Sequence, residues 1–154
     1  MPVDPTTWAQ DGYEVSTDRG RLDLDAIHSY LSQSYWSPGI PRATVERGIA
    51  NSEPFGLYDP RGAQAGFARA ITDYAAYAYV GDVFVLEPHR GRGLGKFLID
   101  CMLAHPDLQN LRRWALATAD AHGLYERFGF TPPARPDTHL FIDRAPADLW
   151  PPAS

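Results

Sequence analysis

Cysteine is almost absent from this chain. Cys101 stands alone, so no intrachain disulfide can form and a reducing compartment is expected. Long apolar runs are missing too. No stretch approaches the ~20 residues that a spanning helix needs, so no membrane partner is expected. The opening Met1-Pro2-Val3-Asp4-Pro5 is polar and broken by proline, without the apolar core of a secretory signal. A cytoplasmic protein is the expectation. Positive charge is not in excess: 14 Lys and Arg face 19 Asp and Glu, a net charge of −5. That balance argues against a nucleic-acid partner. No internal repeat or low-complexity tract is present. His28, His89, His105 and His139 show no metal-ligand spacing, so no metal is expected.

The 154 residues, 44% of them apolar, suit one domain with one core. Its core is expected over about 12–144, with a tail over 145–154 where prolines return. Alternation predicts a strand over 13–17. Asp23 is a candidate N-cap for a helix over 24–34, and Pro41 suits the start of a second helix over 42–51. Strands follow at 55–58, 65–72 and 76–86. Asp59-Pro60-Arg61-Gly62 reads as a turn. Leu94, Phe97, Leu98, Cys101 and Met102 form an apolar stripe on a helix that Pro106 ends. A buried strand over 113–118, a short helix over 121–128 and a last strand over 139–142 complete the pattern. A mixed sheet with helices on its faces is implied.

The most informative stretch joins strand to helix. Asp82-Val83-Phe84-Val85-Leu86 runs through Glu87-Pro88-His89-Arg90 into Gly91-Arg92-Gly93-Leu94-Gly95-Lys96. Such a junction aims backbone N–H groups at one point, at the positive end of a helix dipole, and suits a phosphate. Gly91, Gly93 and Gly95 let the backbone approach it closely. Arg92 and Lys96 add charge, and Arg90 either does the same or buttresses the loop. Two nucleotide loops fit poorly. A Walker A loop would need a hydroxyl where Phe97 stands and a glycine where Arg90 stands. A Rossmann fingerprint would need a third glycine where Lys96 stands.

A third pattern, Arg/Gln-x-x-Gly-x-Gly/Ala, is met by Arg90, Gly93 and Gly95. With the strand and Pro88 before it and the amphipathic helix after it, this stretch resembles motif A of the GNAT N-acetyltransferase superfamily. Ala121-His122-Gly123-Leu124-Tyr125-Glu126-Arg127-Phe128-Gly129-Phe130 is similar to a second block of that family. The resemblance implies an α/β (α+β) GNAT-like fold: a mixed, mostly antiparallel central sheet, splayed between its fourth and fifth strands, with helices on both faces. It implies acetyl-CoA as co-substrate, with Arg90, Gly91, Arg92, Gly93, Leu94, Gly95 and Lys96 around its diphosphate. Phe84 and Val85 would hold the pantetheine arm by their main chain. An N–H near Val85 would stabilise negative charge on the thioester oxygen.

Within the same resemblance, Tyr125 would protonate the departing thiolate. Asp82 is the first candidate for a base that deprotonates the amine, with Glu46 and Glu87 behind it. Thr118 stands where many members carry asparagine, so a cofactor or capping contact would pass to its hydroxyl. His122 replaces an apolar residue, as a solvated position or a proton relay. The acceptor side would draw on aromatic residues, chiefly Tyr35, Trp36 and Tyr77, through cation–π contact or stacking. The function implied is transfer of acetyl to a primary amine by direct attack in a ternary complex. The alternative is a GNAT-like acyl-CoA sensor without turnover. A small metabolite, a polyamine, an antibiotic and a protein amine are all open as acceptors. Homodimers are frequent in that family.

Overall fold

The computed structural model describes residues 4–152. One sheet of six strands runs through it, and its spatial order follows the chain. The strands are β1 (Thr7–Gln10), β2 (Tyr13–Ser16), β3 (Glu53–Tyr58), β4 (Gln64–Thr72), β5 (Tyr77–Val85) and β6 (Arg113–Ala115). All neighbours are antiparallel except β5 and β6, which are parallel. Helices α1 (Leu24–Leu31) and α2 (Arg42–Ala50) precede β3. Helix α3 (Leu94–Ala104) links β5 to β6, and α4 (His122–Glu126) and α5 (Pro146–Leu149) follow. No helix among the described residues is long and apolar enough to cross a membrane.

Local chemistry accounts for most of these boundaries. The Asp23 carboxylate accepts the Ala26 N–H at 3.0 Å and starts α1. The helix stops at Leu31, short of the expected Ser34. There the Ser34 and Ser37 hydroxyls both donate to the Leu31 carbonyl, at 2.7 and 3.0 Å, and turn the chain away. The Asp59 carboxylate accepts from the N–H groups of Arg61 and Ala63, which closes the β3–β4 turn as expected. The α3 stripe is buried throughout, with Ile99 added to it. Each large apolar side chain so removed from water contributes roughly 1.5–3 kcal/mol.

The helices divide between the two faces. Ile27 and Leu31 of α1 and Val45 and Ile49 of α2 pack on Phe67 and Phe84. The α3 residues pack on the opposite face with Val15, Phe55, Leu57 and Val80. A buried pair ties the end of α3 to β3. His105 Nδ1 accepts the Asp107 N–H at 3.0 Å, so its Nε2 carries the proton donated to the Glu53 carboxylate at 2.7 Å.

Three further expectations need correction, and one strand was missing from them. The strand β1 was not foreseen; it pairs with β2 through Asp11 and Gly12, at φ 52° and 83°. Those are the left-handed angles of a two-residue hairpin turn. The strand expected over 113–118 stops at Ala115 and is half-buried at most, because no strand among the described residues covers its outer side. The helix expected over 121–128 covers only His122–Glu126. The last strand, expected over 139–142, is not formed. Leu140, Phe141 and Ile142 are 92%, 80% and 86% exposed. Pro132, Pro133 and Pro136 precede it, and a 3-10 turn at Pro136–Thr138 leads it away from the short β6 edge.

Tyr58 carries a testable consequence of this packing. Its ring lies under the Arg21 guanidinium, 4.2 Å away, and its buried hydroxyl has no hydrogen-bond partner among the described residues. Burial pushes its pKa up to about 12. Removing an unpaired buried hydroxyl relieves a desolvation cost, so Tyr58→Phe is expected to leave stability unchanged or raise it by about 1 kcal/mol. Urea unfolding reads this directly; a lower midpoint for the variant would mean that the hydroxyl has a partner.

Candidate active site

The glycine-rich junction forms as a cradle. After β5, one 3-10 turn at Glu87–His89 brings the chain to Arg90, and Gly93 caps α3 at φ 74°. A side chain at that angle would be strained. No atom lies within 4 Å of where a Cβ would stand at Gly91 or Gly93. The main chain at the helix mouth is therefore bare. The first intrahelical bond is Phe97 N–H to Gly93 O, so the N–H groups of Leu94, Gly95 and Lys96 have no partner within the helix. No acidic residue in the first turn offsets their positive end.

The three basic side chains differ in what they do. Arg92 is exposed at the crest and makes no ion pair among the described residues. Lys96 bonds Asp100 at 2.9 Å, one turn along the exposed face. Arg90 folds back: its Nε donates to Val85 O at 2.9 Å and its Nη2 to the Tyr30 hydroxyl at 3.4 Å. Of the two readings open for Arg90, bracing the loop is the one its geometry supports.

Beside the cradle the sheet opens. β5 and β6 pair only over Tyr77–Tyr79 and Arg113–Ala115. β5 then continues to Val85 with β4 on one side and no strand on the other. Leu86 N–H donates to Ala65 O at 2.8 Å, toward β4. Alternation along the strand then turns the amide of Val85 into the gap. Phe84, expected to share that contact, does not. Its carbonyl faces β4, 2.6 Å from where a Gly66 Cβ would be. Its ring instead stacks on Tyr30 at 4.1 Å.

Tyr125 leaves α4 and packs in the α3-side cluster, against which Val85 also packs. It is 9% exposed, packs edge-on to Phe130, and makes no hydrogen bond through its hydroxyl to the described residues. Burial raises its pKa above the ordinary 10.0, and the nearby Tyr35 and Asp120 add to the effect. It is therefore a phenol, with a proton to give, throughout the neutral range. Thr118 is engaged elsewhere. Its hydroxyl accepts the Ala121 N–H at 3.1 Å and caps the turn into α4. His122 is exposed.

Asp82, expected as a free base, is built into the wall. It sits at φ 55° in a bulge, where two residues of β5 oppose Ala68 of β4. One carboxylate oxygen accepts from Arg69 Nε at 2.7 Å and the other from the Trp36 indole N–H at 3.0 Å. With a donor on each oxygen, it is poorly placed to collect a proton from an amine. Glu46, behind it among the expected bases, is taken by Arg42 at 3.3 Å. Trp36 packs edge-on with Tyr35, ring centres 5.1 Å apart. Tyr77 is 41% exposed at the end where β5 and β6 are still paired, outside this group. The structure thus joins Tyr35, Trp36 and Asp82 and leaves Tyr77 at the rim. Arg69 was missed; an arginine inside the apolar run Ala65–Thr72 was the signal that a partner waits there. The depression of about 500 Å³ beside Gly12, Tyr13 and Pro60 lies between hairpin turns and lacks these convergent donors.

Known proteins point the same way. Residues 51–132 match the family described as an acetyltransferase (GNAT) domain. A Gibberella zeae protein provisionally named an acetyltransferase is 30% identical over 141 residues, covering 79% of this chain and 80% of its own. A crystal structure from Xanthomonas campestris pv. campestris, provisionally described as a GNAT-family acetyltransferase, is 52% identical. It matches with a TM-score of 0.85, over 87% of this chain and 94% of its own. Rv2747 of Mycobacterium tuberculosis, solved in complex with CoA, shares the fold at 23% identity and a TM-score of 0.62, over 76% of this chain and 70% of its own.

Proposed function

The chain belongs to the GNAT acetyltransferase family, and from that premise we propose that it transfers acetyl from acetyl-CoA to a primary amine by direct attack. The observation that carries the proposal is the bare cradle at Gly93 opening beside an unpaired strand edge, with a protonated phenol in the cluster against which Val85 packs. A diphosphate fits there because three backbone N–H groups and a helix dipole face it and no Cβ obstructs it. Arg92 is free to add charge. Bound acetyl-CoA supplies the acetyl group and a sulfur leaving group.

The chain's own residues do the rest. The Val85 amide, turned into the gap, donates to the carbonyl oxygen as that oxygen gains charge, a contact worth several kcal/mol in the transition state. As the nitrogen bonds the carbonyl carbon and the C–S bond breaks, Tyr125 gives its proton to the departing sulfur, and the proton that the attacking nitrogen sheds restores the phenol. The amine enters neutral, leaving its proton with solvent at the open mouth, because the Asp82 carboxylate is held by two donors. A sensor without turnover would have no use for a buried phenol held in its acid form, so the enzyme is the preferred reading.

Three outcomes are expected. Calorimetry should show CoA binding to the folded chain, and Gly93→Val, which puts a β-branched residue at φ 74°, should weaken it about tenfold or more. No heat with millimolar CoA would remove the proposal. Tyr125→Phe should lower kcat at least about tenfold while the Kd for acetyl-CoA stays within about twofold. The pH dependence follows from two signs. The neutral fraction of an alkylamine grows up to a pKa of about 10. The Tyr125 proton is present below its raised pKa and lost only above 10.0. Hence kcat/KM should rise steadily from pH 6 to 9 in stopped-flow or CoA-release assays, and a plateau below pH 7 would instead indicate a dedicated base.

A further inference from the structure

Resting on that reading, we infer that Arg69 is a positioning residue for the acceptor, and that the acceptor is an amine carried on a flat, apolar body rather than a polyamine. Arg69 leaves the middle of β4 and ties three elements together. Its Nη1 reaches the Gly48 carbonyl and the Ser52 hydroxyl at the end of α2, at 3.3 and 3.4 Å. Its Nε holds Asp82 at 2.7 Å. Asp82 in turn holds the Trp36 indole at 3.0 Å, from the loop between α1 and α2. That loop is already stiff, since Ser34 and Ser37 fold back on Leu31 and the His28 ring bonds Ile40 O at 2.9 Å. The chain from Arg69 to Asp82 to Trp36 therefore sets where the indole stands over the open end of the sheet.

The wall so fixed is aromatic. Tyr35 and Trp36 remain 58% and 38% exposed although each packs on the other. Tyr30 continues the surface inward, 6.2 Å from Trp36 and stacked on Phe84. Such faces take up flat or apolar groups. A polyamine needs several spare carboxylates. Asp82, the carboxylate bonded to this wall, is spent on Arg69, with side chains 20% and 16% exposed at the pair. That leaves Asp120 beside Tyr125 as an unpaired one among the described residues. At Asp82, a second ammonium would meet the Arg69 cation behind the carboxylate rather than an open anion.

The test uses 2-phenylethylamine and spermidine as acceptors with saturating acetyl-CoA, following CoA release. Transfer to phenylethylamine with kcat/KM at least about tenfold above that for spermidine is expected. Trp36→Ala should raise the amine KM about tenfold, and Trp36→Phe, which keeps a face and loses the N–H, only about threefold. Arg69→Ala should raise it about fivefold, with the KM for acetyl-CoA within about twofold and partial rescue in Arg69→Lys. Should Arg69→Ala fail to fold, the two Trp36 variants carry the test. Spermidine as the better acceptor, transfer to neither amine, or equal changes in both KM values would overturn the inference. Any of these, found while acetyl-CoA still binds, leaves acetyl transfer standing; loss of acetyl-CoA binding by the unsubstituted chain would remove the function itself.

Discussion

Every functional feature depends on one strand edge left without a neighbour. Beyond Tyr79, β5 is bonded on one side only. In water an unpaired edge is harmless, but it is also a row of donors and acceptors ready for an extended partner. Here the edge leads straight into the bare amides at the start of α3. An extended ligand ending in a diphosphate finds both along one line: strand-like bonds for its arm and a helix mouth for its charge.

The bulge at Asp82 decides what that edge presents. Ahead of it, Tyr77 and Tyr79 point to the face of α1 and α2, while Ala78 and Val80 are buried toward the other side. An unbroken alternation would put Val83 and Val85 on the α1 side. The extra residue reverses the parity, so Phe84 takes that side and joins Ile27 and Phe67, and Val83 and Val85 pack with the α3 cluster. The Val85 amide is thereby turned into the gap. A non-glycine residue at φ 55° costs roughly 1–3 kcal/mol. The paired carboxylate offsets it: Arg69 and Trp36 are both satisfied by the residue that makes the kink. Strain, acceptor wall and strand parity meet in one aspartate.

Much of this was legible in the chain. Asp23 as a cap, Asp59 as a turn and the stripe from Leu94 to Met102 are local signals, and local hydrogen bonds and burial bear them out. The glycine cradle was legible for the same reason, since its chemistry lies within six consecutive residues. The first hairpin was legible but unread: Asp11-Gly12 is a two-residue turn signature between short alternating runs. What was not legible depends on contacts between distant segments. The apolar run at 139–142 has the pattern of a strand, but a strand also requires an edge to join, and β6 ends after three residues. The pairing of Asp82 was not legible for the same reason, because its donors come from residues 13 and 46 positions away.

That displacement of Asp82 from base to wall has a chemical consequence. A carboxylate facing the amine would accept its proton, but it would also favour the protonated, unreactive form of any amine that approached. With both of its oxygens engaged and Arg69 behind it, Asp82 offers no such trap. In the proposed acceptor site the aromatic faces of Tyr35 and Trp36 would bind the body of the acceptor without stabilising one strong ion pair at its nitrogen. On the proposed reading, proton delivery is needed at the sulfur, and burial keeps the Tyr125 proton in place throughout the neutral range. On that reading, solvent would take the proton of the incoming ammonium at the open mouth, and the phenol would carry the proton that passes from the attacking nitrogen to the sulfur inside.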